Sequence, residues 1–61
     1  MPITIYYIYK KNNKWMEGQN HFETTEKALR FMHKFKNKFF HFEWSCDDPY
    51  DNEYLWSHWK S

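Results

Sequence analysis

Apolar residues crowd both phases of the first segment, alternate cleanly in a later one, and recur at helical spacing between them. Ile3 to Lys10 is rich in Ile and Tyr, which suit a pleated surface, and reads as a strand. Ile3, Ile5, Tyr7 and Tyr9 fall on one face; Thr4, Tyr6, Ile8 and Lys10 fall on the other. Both sets are largely apolar, which predicts a central strand covered over at least part of each side. Lys11 to Lys14 forms the turn, because Asn12 and Asn13 tolerate the left-handed backbone of a tight hairpin. A tight turn sets Tyr9 opposite Met16 and Tyr7 opposite Gly18; a longer loop is the alternative. A ring laid over a strand glycine is stabilising. The second strand then covers Lys14 to Gly18, with a looser continuation toward Phe22.

Thr24 or Thr25 caps a helix predicted to reach Asn37. Ala28, Phe31, Met32 and Phe35 form its apolar stripe, with Leu29 at the edge. Phe39 to Cys46 alternates as a half-buried strand: Phe40, Phe42, Trp44 and Cys46 share one face, and Phe39, His41, Glu43 and Ser45 the other. Asp48 then caps a second helix, with Pro49 at its first position and an end near Trp59. The order is strand, strand, helix, strand, helix (ββαβα). A hairpin followed by a helical return lays the third strand against the first. The expected fold is α+β: a small three-stranded antiparallel sheet of order 2-1-3, one helix packed on it, and a short C-terminal helix. That last helix closes an edge or the second face, or stays available to a partner.

Composition sharpens this picture. The 61 residues allow a single domain. Fifteen are Phe, Trp or Tyr, against ten other apolar residues and no Val. Rings bury about 150–250 Å² each, so an aromatic core could give so short a chain the burial it needs. Cys46 is the only cysteine, which rules out an internal disulfide and points to a reducing compartment. No run approaches the roughly 18 apolar residues of a membrane span, and no secretory leader is visible. The expectation is a cytoplasmic chain. Lys, Asn, Phe, Tyr and Ile, encoded by AT-rich codons, supply 27 residues. This usage in a short chain without motifs suggests a phage or mobile-element product.

The chemistry-bearing residues form no recognised catalytic, metal or cofactor pattern. His21, His33, His41, Cys46 and His58 lack the paired spacing of structural zinc sites. Cys46 precedes Asp47 and Asp48, whose charges disfavour a thiolate nucleophile. The carboxylates of Asp47, Asp48, Asp51 and Glu53 lack the central glycine and distal glutamate of a calcium loop, and helix capping accounts for Asp48 and Asp51. No enzyme activity, cofactor, metal or small-molecule substrate is expected.

Charge and rings point instead to binding. Lys10 to Lys38 holds eight cations and three acids, while Glu43 to Glu53 holds five acids and no cation. Lys27, Arg30, Lys34 and Lys38 form a basic stripe on the first helix, and Lys10, Lys11 and Lys14 a basic hairpin tip. With rings nearby they are the candidate nucleic-acid contacts. A near-neutral total and the scarcity of Arg argue against that reading. So many rings exceed what one helical layer covers. Tyr6, Trp15, Tyr54, Trp56 and Trp59 are therefore the candidate protein interface, toward another protein or a second copy. The leading expectation is a small non-catalytic protein-binding module, and nucleic-acid binding is the alternative.

Overall fold

Two asparagines fix the first turn. Asn12 and Asn13 have φ of 52° and 65°, the left-handed values that a two-residue hairpin needs at both central positions. The structure, a computed structural model, describes residues 3–60. Strand β1 (Ile3–Lys11) and strand β2 (Lys14–Phe22) pair in the tight register, with Lys11 opposite Lys14, Tyr9 opposite Met16 and Tyr7 opposite Gly18. The ladder does not loosen at Gly18 but runs on to Phe22 opposite Ile3. The Tyr7 ring lies on the glycine, where a Cβ would sit 2.6 Å from Tyr7 Cζ, and the Tyr7 hydroxyl donates to Asn20 Oδ1 at 2.9 Å. The ring thus bridges the weak point of the strand.

Helix α1 (Thr25–Lys34) starts on Thr24, whose Oγ1 accepts from the Lys27 N–H at 3.2 Å. It stops three residues short of the expected Asn37. The N–H groups of Lys38 and Phe39 both turn back to the Phe35 carbonyl at 3.0 Å. This turn stacks Phe39 on Phe35 (centroids 5.1 Å apart) and on Tyr7 (4.4 Å, 8° between planes).

Strand β3 (His41–Ser45) lies antiparallel to β1 on the side away from β2, giving the order β2-β1-β3. It begins later than the alternation predicts, and the faces of the two preceding rings are exchanged. Phe39 joins the core-side rings, whereas Phe40 meets Trp15 edge-on at 4.9 Å on the opposite face. The cause is local. Ile8 is the register partner of His41, yet its carbonyl also accepts from the Phe40 N–H at 2.9 Å. Two residues oppose one, the count of a β-bulge, and the alternation slips by one there.

Helix α2 (Pro49–Lys60) is started by Asp48, whose Oδ1 accepts from the Tyr50 N–H at 2.9 Å. It packs beside α1 on the same side of the sheet, with Leu55 fully buried and Trp59 5.0 Å from the His33 ring. The core beneath the helices has two parts. Ile3, Ile5, Ala28, Leu29, Met32 and Leu55 form an aliphatic half. Tyr7, Phe31, Phe35, Phe39 and Phe42 continue it as linked rings toward the hairpin. Leu29 is buried within this core rather than lying at the stripe's edge. Among the described residues no helix covers the face of Thr4, Tyr6, Ile8 and Lys10, contrary to the expectation of partial cover on both sides. Tyr, Thr and Lys each carry a polar end, so that face tolerates water.

Candidate binding surface at the open sheet

The uncovered face is built by register. Its central strand offers Tyr6 and Ile8; β2 places Trp15 opposite Lys10 and Glu17 opposite Ile8; β3 places His41 opposite Ile8 and Glu43 opposite Tyr6. The bulge adds Phe40. Trp15 is 60% and Phe40 66% exposed, and with Ile8, Met16 and Glu17 they line one shallow depression. The Lys10 ammonium sits 5.6 Å from the Trp15 ring centroid, a cation–π distance. His41 Nε2 lies 3.2 Å from Glu43 Oε1, both well exposed, and Thr4 Oγ1 lies 2.9 Å from His21 Nδ1.

A second cleft follows the free edge of β3. It runs from Tyr6, Phe40 and Glu43 above the edge to Trp44, Trp56 and Trp59 below it. Trp44 meets Trp56 edge-on at 5.3 Å and donates from Nε1 to Asn52 Oδ1 at 2.8 Å, which ties the strand to α2. Of the candidate interface residues, Tyr6, Trp56 and Trp59 line this cleft, and Trp15 stands on the open face. Trp59 is half-buried against Phe42 at 5.2 Å. Tyr54 lies apart, stacked on His58 at 3.9 Å. Phe40, Met16 and Tyr50 are exposed rings or apolar chains that the sequence reading did not single out. Phe40 was hidden by the bulge. Tyr50 sits in an acidic run, which is the signal that it faces water.

The basic candidates divide between layers. Lys10, Lys11 and Lys14 surround the hairpin tip, and Lys27, Arg30, Lys34 and Lys38 lie exposed on the helical side. Lys34 and Lys38 both reach toward the Phe35 ring, at 5.5 and 5.7 Å. Because Phe35 packs on Phe39 and Phe39 on Tyr7 and Tyr9, the C-terminal cations of α1 lie on the hairpin half of the molecule. Both helices begin at the other end, near Glu23, Glu26, Asp48 and Asp51, so the charges complement the two helix dipoles.

Cys46 is half-buried, with its thiol 3.7 Å from the Asp48 carbonyl. Burial pushes its pKa up, and Asp51, Asp48 and Asp47 push it further. The thiol form therefore dominates near neutrality, the opposite of an activated nucleophile. Among the described residues, no three His, Cys, Asp or Glu side chains come together as a metal site would require, and no helix is long and apolar enough to cross a membrane. No protein-family model, no curated protein and no solved structure matches this chain.

Proposed function

We propose that the chain is a small non-catalytic binding module, of phage or mobile-element type, that docks its open sheet face against another protein. The observation that carries this reading is the pair Trp15 and Phe40, in edge-on contact and each more than half exposed. Exposed rings grouped with Ile8 and Met16 and rimmed by Glu17, His41 and Glu43 have the make-up of an interface anchor inside a polar rim. The test is capture from the cells that carry the gene, with the parent chain and a Trp15→Ala, Phe40→Ala double variant as baits. A specific partner that the parent retains and the double variant loses, with the variant's circular dichroism unchanged, supports the reading. Retention by both baits, or no partner at all, sinks it.

Nucleic-acid binding is the second reading, favoured by Lys10 over the Trp15 ring and by the cations gathered at that end. Single-strand stacking on exposed rings beside lysines would follow the same geometry. Glu17 and Glu43 on the same face oppose it. Affinity for single-stranded DNA that falls steeply with salt would shift the assignment to this reading.

A further inference from the structure

The proposed module leaves unassigned the free edge of β3, which lies away from Trp15 and has its own chemistry. Phe40 N–H donates to the Ile8 carbonyl, so the backbone groups of Ile8 face β3. Alternation along an antiparallel ladder turns those of Tyr6 and Thr4 the same way. Their partners Glu43 and Ser45 face inward in return, and Phe42 and Trp44 present their backbone N–H and C=O to the open edge. An edge with unpaired groups is a template for another strand. Here the edge also has a floor, because Trp56, 49% exposed, and Trp59 line the cleft beneath it.

We infer that this edge pairs with the same edge of a second copy, β3 antiparallel to β3, with the two-fold axis at Phe42. Side-chain complementarity, an imidazole against a carboxylate, selects both the occupant and the register. With Phe42 opposite Phe42 of the second copy, His41 faces Glu43 of that copy, and the reverse holds across the axis. Both side chains stand on the open face, 57% and 71% exposed, and already associate within one chain at 3.2 Å. The two-fold therefore builds an alternating quartet of two imidazoles and two carboxylates. Moving the axis by one residue sets Glu43 against Glu43, a like-charge pair that an antiparallel ladder disfavours. The pattern His-x-Glu centred on an edge residue is thus complementary to its own inverted copy. Pairing would yield a continuous six-stranded sheet with four helices on one side. The α2 helices would meet across the axis and cover the indoles of Trp56. Phe40 also lines this cleft, but Trp15 on β2 lies clear of it, so Trp15→Ala alone tests the binding reading without touching the seam and the two inferences fail separately.

Sedimentation equilibrium of the parent chain, at concentrations up to about 1 mM, reads the association directly. The expected species is twice the 7.8 kDa chain. Glu43→Lys, at a well-exposed position, is expected to weaken dimerisation by about tenfold or more. The charge swap His41→Glu with Glu43→Lys is expected to restore it to within about threefold. A parent that stays monomeric throughout overturns the inference. So does a dimer indifferent to Glu43→Lys, which would place the contact elsewhere, or a swap as weak as the single change, which would exclude this register.

Discussion

Phe39 and Phe40 are adjacent and chemically identical, yet they occupy opposite sides of the sheet. Phe39 lies within 6.2 Å of the Tyr7, Tyr9, Phe31, Phe35 and Phe42 ring centroids. Phe40 touches Trp15 and water. Strict alternation assigned the two rings the other way round, because a pattern of side chains carries no mark of a doubled backbone contact. The consequence is measurable by urea denaturation followed through tryptophan fluorescence. Phe39→Ala is expected to cost about 3–5 kcal/mol, comparable to the roughly 3–5 kcal/mol that holds a domain of this size together. That variant should be largely unfolded at 25 °C. Phe40→Ala is expected to change stability by less than about 1 kcal/mol. Equal losses at the two positions would refute the assignment of faces. Gly18 was the opposite case: its place opposite Tyr7 followed from counting outward from the turn.

At the level of elements, the hairpin and both helix starts could be read from short-range chemistry. Asn12 and Asn13, Thr24, and Asp48 before Pro49 each act within a few residues, and each does what its side chain and backbone preferences require. Helix and strand ends were less legible where rings far apart in sequence set them. The end of α1 at Lys34 depends on Phe39 reaching Tyr7, a contact across more than thirty residues. The extension of β2 to Phe22 depends on Tyr7 lying over Gly18. The turn itself offers a direct check. Asn12→Ala puts into positive φ a residue without the short polar side chain that lets Asn hold that region, and is expected to cost about 1 kcal/mol, whereas Asn12→Gly should cost little. Urea midpoints for both variants measure the difference, and equal midpoints would argue for a different turn geometry.

Across the molecule, topology and strand order followed from sequence logic, since a hairpin and a helical return leave β1 in the middle. The side on which α2 settles did not, because its rings spread around the helix and mark no single apolar face. Leu55 and Trp59 select the helical side only once α1 is in place to meet them. The candidate surface was accordingly half legible: Tyr6 and Trp15 fell on the open face, whereas Phe40 entered it only through the bulge. Two helices on one side leave the sheet asymmetric, one side held by packing and the other by its own ladder.

That asymmetry gives the doubled contact at Ile8 an unusual consequence for chain length. Excising Phe40 would join Phe39 to His41 and convert two-against-one pairing into a regular ladder. Phe39 would then stand opposite Tyr9, on the side it already occupies. The shortened protein should keep a urea midpoint close to that of the parent while losing a ring from the exposed side; a collapse like that expected for Phe39→Ala would show that the extra residue is structural. A natural length polymorphism here would edit the exposed surface and spare the interior.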